Sequence, residues 1–148
     1  MKINDDPNIF KNVSSIFSVY KKIGAETFDV KTHSDKIKIG LSEKDYILYR
    51  RYCSNPQMQP ILNAMIIFPA LVYVFEELKF DTDFEKYGDK AWFRSLAASY
   101  RRKKINFAEH IIQEENTSIK LAQEVMSLPL TKTLENISFI CDETAEDS

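Results

Sequence analysis

From residue 61 to residue 75 the chain reads ILNAMIIFPALVYVF, fifteen residues without a charge. A helix of this sequence is apolar on nearly every side, which is typical of a helix surrounded by protein. We therefore predict a central core helix that begins near Pro56 or Pro60 and ends near Lys79. Because Pro69 has no backbone N–H to donate to the Met65 carbonyl, we expect a kink there.

A membrane span is the alternative for this stretch, and its length argues against one. Fifteen helical residues extend roughly 22 Å, less than the ~30 Å hydrocarbon core of a bilayer. Asn63 and Pro69 also interrupt the apolar run. We predict a buried helix and no membrane contact.

Two short alternating segments precede this helix and predict a β-hairpin. A polar turn at residues 33–35 separates them. A lone hairpin is marginal in water, so its apolar face must pack on helices and its edges must be paired or protected. The apolar members of the two segments are Phe28 and Val30, then Ile37, Ile39 and Leu41.

Helix signals occupy the rest of the chain. Asp6 and Pro7 predict the start of a first helix, which we expect to end at Gly24. The fold class is α+β, predominantly α-helical, with about six or seven helices around a central apolar helix and one small N-terminal β-hairpin. The predicted starts of the other helices are Ser42, Asp89, Asn106, Asn116 and Pro129.

Apolar stripes indicate which side of each later helix faces the core. Residues 1–141 are expected to form one globular domain, and 142–148, with four acids in seven residues, a mobile acidic tail. The stripes expected to face inward are Trp92, Phe93, Leu96, Ala97 and Tyr100, then Ile119, Ala122, Val125 and Met126. In the last helix, the residues expected to share one side are Leu130, Leu134, Ile137 and Cys141.

Composition limits the class of protein and its compartment. A chain of 148 residues fits one domain, and a net charge of −2 excludes a uniformly basic nucleic-acid binder. Three glycines leave little material for a phosphate-cradling loop, and no nucleotide or catalytic motif occurs. With two cysteines and no apolar leader, the expectation is a cytoplasmic protein with free thiols and no cofactor.

Charge is segregated along the second half of the chain. Residues 86–104 carry seven basic side chains and one acid, whereas 105–148 carry two basic side chains and nine acids. The basic run is a candidate contact for nucleic acid or a protein partner, with Tyr87, Trp92 and Tyr100 as possible stacking rings. Its alternative is a solvated helix face neutralised by the acidic segment. The candidate contact residues are Arg94, Arg101, Arg102, Lys103 and Lys104.

A second candidate interface lies in the helix after Ser42. Its three tyrosines are spaced so that they cannot all face one direction, and two arginines lie among them. Tyrosine and arginine are enriched at protein interfaces, although tyrosines with a packed ring and a solvated hydroxyl are also common. The candidate interface residues are Tyr46, Tyr49, Arg50, Arg51 and Tyr52.

The two histidines do not predict a metal site. His110 has Glu114 four residues on, which would place both on one helical face, but a third ligand is not indicated. His33 lies in the predicted turn. A histidine beside a carboxylate is the simpler interpretation, and we expect no bound metal.

We expect a non-enzymatic protein–protein interaction or assembly module that forms a homo-oligomer or joins a larger complex. The sequence supports this through its lack of a catalytic motif, its tyrosines near arginines and its blocks of opposite charge. The alternative is an accessory nucleic-acid-binding protein that uses the basic 94–104 helix. The third interpretation is an enzyme whose catalytic groups converge from distant positions.

Overall fold

The computed structural model describes residues 13–81, 84–127 and 129–147. It confirms the predicted α+β, predominantly helical class. A 3₁₀ turn at Val13–Ile16 leads into a small sheet, and helices make up most of the remaining chain. The strands are β1 (Phe17–Lys21), β2 (Asp29–Lys31) and β3 (Ile37–Leu41), and the helices are α1 (Glu43–Tyr52), α2 (Gln59–Leu62), α3 (Phe68–Phe80), α4 (Ala91–Arg102), α5 (Phe107–Ile112), α6 (Ser118–Met126) and α7 (Pro129–Asp147).

The predicted hairpin is confirmed: β2 pairs antiparallel with β3. The predicted helix ending at Gly24 is wrong over 17–21, where the chain forms β1 and pairs parallel with the other edge of β3. Its proposed start at Asp6 and Pro7 lies outside the described residues. Phe17, Val19 and Tyr20 favour strands, and β3 offered an unpaired edge, so sheet pairing outweighs the helical spacing.

The two faces of the sheet differ in polarity. Ile37, Ile39 and Leu41 of β3 are buried against the helices, whereas Lys38 between them is exposed. Side chains of neighbouring strands at the same rung share a face. The outer face therefore carries Lys38 and its partners in β1 and β2.

The central helix is confirmed close to its expected bounds. A π-helical segment, Asn63–Ile67, joins α2 to α3, so that the helix runs without a break over Gln59–Phe80. In this segment the Phe68 N–H donates to the Asn63 carbonyl, five residues back. Pro69 follows directly, and since it has no N–H to donate, the π segment is where the chain absorbs the predicted irregularity.

Burial of this helix is one-sided. Leu71, Val74 and Phe75 are fully buried, but Met65 is 64% exposed and Phe80 86% exposed. The expectation that protein surrounds the helix on every side is therefore wrong along this outer edge. The length argument against a membrane span also fails, because 22 residues extend about 33 Å. By length and composition the helix passes as a span, and the prediction of no membrane contact stays a prediction.

Short-range capping signals are confirmed where they were predicted at two helices. The Ser42 hydroxyl accepts a hydrogen bond from the Asp45 N–H at 3.1 Å at the start of α1. The Asn106 side chain accepts one from the Glu109 N–H at 3.0 Å at the start of α5. These contacts lie within one helical turn, which is why the sequence alone indicates them.

The start of α4 is capped differently. Asp89 was the predicted cap, but the carboxylate that accepts the Ala91 N–H, at 3.0 Å, belongs to Asp35 in the turn between β2 and β3. The Trp92 N–H donates to the Asp35 carbonyl at 3.1 Å, and the Trp92 indole donates to the Thr32 carbonyl at 3.1 Å. Because Trp92 is fully buried, this joint locks the sheet onto α4.

Replacing Asp35 by Ala should lower the free energy of unfolding by about 1 kcal/mol, the usual effect of losing a helix cap. Asp89→Ala is the matched control. It also removes an aspartate carboxylate near the start of α4, but this carboxylate does not accept the Ala91 N–H, so stability should change little. Urea unfolding of both variants measures the difference. Equal losses would show that Asp35 does not cap α4.

Candidate functional site

The basic residues singled out in the sequence lie on the surface. Arg94 is exposed near the start of α4, and Arg101, Arg102, Lys103 and Lys104 are exposed at its end. The Arg102 guanidinium donates to the Ser99 hydroxyl at 3.1 Å. The structure thus places four of the five cations together and Arg94 about two turns away from them.

The rings proposed to stack on bases are not available. Tyr87, Trp92 and Tyr100 are each at most 1% exposed and pack in the core. The Tyr87 hydroxyl donates to Glu77 at 2.7 Å, and Trp92 is tied to Thr32. The prediction that these rings add stacking to a basic surface is wrong, because Trp92 and Tyr100 lie on the inward stripe of α4 and Tyr87, before α4, is buried as well.

The second candidate interface, on α1, divides between two faces. Tyr46 and Tyr49 are half-buried against the core, with ring centroids 6.5 Å apart, and burial raises the pKa of the Tyr49 phenol. Arg50, Arg51 and Tyr52 are exposed. The outer face of α1 also presents two apolar side chains that were not among the candidate interface residues. Ile47 is 56% exposed and Leu48 is 40% exposed.

The apolar side expected on the last helix is the exposed side of α7. Leu130 is 67% exposed, Leu134 56% and Ile137 41%, and Cys141 is exposed as well. These four residues, here called the α7 stripe, share one side of the helix as expected, and that side faces solvent. The less exposed Thr133 and Asn136, on a neighbouring side of the helix, make the contacts with the rest of the chain. Ile119 of α6, which was expected to face inward, is 54% exposed, so that expectation is wrong.

Polar contacts set the orientation of α7. The Thr133 hydroxyl donates to the Pro60 carbonyl at 3.1 Å, and the Asn136 amide donates to the Gln57 carbonyl at 2.5 Å. Both acceptors are backbone carbonyls at or just before α2. Turning the stripe inward would break these hydrogen bonds, so α7 faces α2 with its hydrogen-bonding side and solvent with its apolar side.

The segment 142–147, which the sequence indicates as an acidic tail, forms the last turns of α7. Both cysteines are free, with Cys53 half-buried and Cys141 exposed. Cys141 is therefore an accessible thiol at the C-terminal end of the α7 stripe.

A groove of about 640 Å³ lies between α6 and α7, next to the stripe. Its walls carry both signs of charge, and a groove with such balanced charge does not indicate a ligand of one sign. The residues that line it are Lys120, Gln123, Glu124, Ser127, Thr131, Lys132 and Glu135.

Glu124 also belongs to a partly buried polar network. It accepts a hydrogen bond from the Tyr100 hydroxyl at 2.8 Å and contacts His110 Nε2 at 3.0 Å. Burial, then the adjacent carboxylate, raises the pKa of the Tyr100 phenol far above its usual range. The predicted neighbour Glu114 lies beyond the end of α5, so the carboxylate beside His110 is Glu124 instead. Among the described residues, no group of three or more His, Cys, Asp or Glu could hold a metal ion.

No protein-family model, curated protein or solved structure shows significant similarity to this chain. Any function therefore has to be argued from the surfaces of this structure alone.

Proposed function

We propose that this chain is a non-enzymatic assembly module that pairs with a second copy of itself through the α7 stripe. The supporting observation is that Leu130, Leu134, Ile137 and Cys141 are all exposed along one line of the helix. Contiguous exposed apolar surface of this kind is typical of an interaction site.

The spacing of the stripe favours another helix as its partner. Its members are separated by four, three and four residues, the alternation of a coiled-coil seam. The outer flank of the seam carries Thr131 and Ser138, so two copies can approach without like charges meeting there. A partner selected by charge would instead call for charged flanks. These features support a self-complementary contact.

Charge also favours an antiparallel arrangement of the two copies. Lys132 lies near the beginning of α7, whereas Asp142 and Glu143 lie near its end. Antiparallel pairing brings the basic beginning of one helix beside the acidic end of the other, and it opposes their dipoles. Parallel pairing would place acid beside acid. The stripe spans about 16 Å along the helix, so we expect a small interface and a dimer that dissociates on dilution.

Replacing Ile137 by Glu should convert a dimer of twice 17.2 kDa into a monomer, because it places a charge in the seam. Light scattering on a sizing column measures the mass. Phe139→Glu is the matched control, since Phe139 is 55% exposed on the same helix but lies off the stripe. A monomeric wild-type chain at high concentration, or equal dissociation of both variants, would refute pairing through the stripe.

A cysteine introduced at Leu130 should form an intermolecular disulfide with Cys141 under mild oxidation, because antiparallel pairing brings these positions together. The control is the same substitution combined with Cys141→Ser, which should remove the cross-linked band on a non-reducing gel. Efficient cross-linking of the wild type through Cys141 alone would instead indicate parallel helices and contradict the proposed orientation.

A second candidate function is nucleic-acid binding through the end of α4. The observation in its favour is the exposure of Arg101, Arg102, Lys103 and Lys104 at one helix terminus. With the aromatic rings buried, this contact would be electrostatic and independent of base sequence.

If α4 binds phosphates, changing Arg101 and Arg102 to Ala should weaken the salt dependence of binding to single-stranded DNA. The slope of log binding constant against log salt concentration should become about 1.4 less steep, because two phosphate contacts are lost. Changing exposed Lys44 and Lys120 to Ala removes equal charge from other helices and should leave the slope unchanged. Fluorescence anisotropy over a series of salt concentrations measures it. Equal slopes for both double variants would mean that α4 makes no specific phosphate contact.

A further inference from the structure

The outer face of the sheet concentrates positive charge at one rung. Lys38 of β3 lies directly opposite Lys31 of β2 and, on its other side, opposite Ser18 of β1. Cβ atoms of directly opposed residues are roughly 5 Å apart, and like charges in such a pair destabilise a sheet. The sheet therefore gains no stability from placing these two exposed lysines opposite each other.

A carboxylate on this face is already engaged. Asp29, two residues before Lys31, pairs with the Lys22 ammonium at 2.8 Å. The hydrogen bond from Lys22 lowers the pKa of Asp29 and, conversely, raises the pKa of Lys22. Lys31 also acts electrostatically on Asp29 and helps to lower its pKa. The ammonium groups of Lys22, Lys31 and Lys38 still outnumber this single carboxylate, so the face keeps a net positive charge.

These lysines line a cavity of about 430 Å³ together with hydroxyl and imidazole groups. Ammonium, hydroxyl and imidazole N–H groups all donate hydrogen bonds, and none of the described lining residues is a carboxylate. A volume of this size is within the range of small-molecule sites. The lining residues are Ser18, Tyr20, Lys31, His33, Ser34 and Lys38.

Contacts with buried aromatic residues fix the turn that forms one wall of this cavity. His33 and Ser34 lie between Thr32 and Asp35, the two turn residues whose carbonyl oxygens accept hydrogen bonds from Trp92. The His33 ring also packs near that of Tyr87, with centroids 6.4 Å apart. Donors fixed in this way need little reordering when a ligand binds.

Gly40 shapes the opposite wall. A Cβ at this position would lie 2.9 Å from both Cζ and Oη of Tyr20. The absence of a Cβ at Gly40 leaves room for the phenol ring to cross the central strand in this position, and the ring forms one side of the cavity.

We propose that this face binds a small phosphate monoester, with the Lys31 and Lys38 ammonium groups and the Ser18 and Ser34 hydroxyls donating to its phosphate oxygens. The phosphate neutralises the opposed lysines. The rest of the cavity has room for the organic substituent of the monoester beside the rings of Tyr20 and His33. Charge-assisted hydrogen bonds from two ammonium groups, with no carboxylate to repel the ligand, are the chemistry that selects a phosphate dianion.

The experiment titrates the full chain with inorganic phosphate, adenosine 5′-monophosphate and adenosine at constant ionic strength, following backbone amide shifts by NMR. We expect phosphate and the monophosphate to shift the amides of Ser18, Lys31 and Lys38, and adenosine alone to have no effect. Tighter binding of the monophosphate identifies a substituted ligand, whereas equal affinity identifies free phosphate.

Lys38→Gln should weaken binding at least about tenfold, the loss of one charge-assisted hydrogen bond. It should not lower the melting temperature of the ligand-free protein, because it relieves like-charge repulsion. Lys36→Gln is the matched control, since Lys36 is an exposed lysine two residues before Lys38, in the turn between β2 and β3, and does not line the cavity. Shifts reproduced by sodium chloride alone, equal weakening in both variants, or adenosine binding as tightly as its monophosphate would overturn the proposal.

Discussion

The indole of Trp92 donates a hydrogen bond to the Thr32 carbonyl, and its backbone N–H donates to that of Asp35. Leaving these groups unpaired inside the protein would cost more than the bonds themselves contribute, so the turn and the start of α4 have to be buried together. This joint fixes which face of the sheet meets the helices. Ile37 and Ile39 then point into the core, and Lys38 is left on the outer face.

The same joint links the fold to the outer cavity. It holds His33 and Ser34 between two anchored residues, while the Tyr20 ring crosses the sheet at Gly40. A polar surface on a three-stranded sheet would otherwise be free to distort. Here the side chains that would bind a ligand belong to backbone that the core already holds in place.

At the other end of the chain, α7 is held through its polar side. Thr133 and Asn136 donate to carbonyl oxygens around α2, and this leaves the apolar stripe exposed. Within the single chain, the packing of α7 satisfies its polar side and leaves its apolar side uncovered. For α7 the isolated chain satisfies the polar contacts, and the apolar stripe is available to a second copy.

The sequence determined the features that depend on neighbours within one turn or one hairpin: the caps at Ser42 and Asn106, the β2–β3 pair, and the apolar identity of the central helix. Tertiary structure decided where apolar spacing and sheet pairing competed, as in β1, and where a cap came from a distant residue, as with Asp35 instead of Asp89. It also decided which side of α7 faces solvent. Periodicity shows that a helix has an apolar side, but only the contacts of the folded chain determine whether that side is covered.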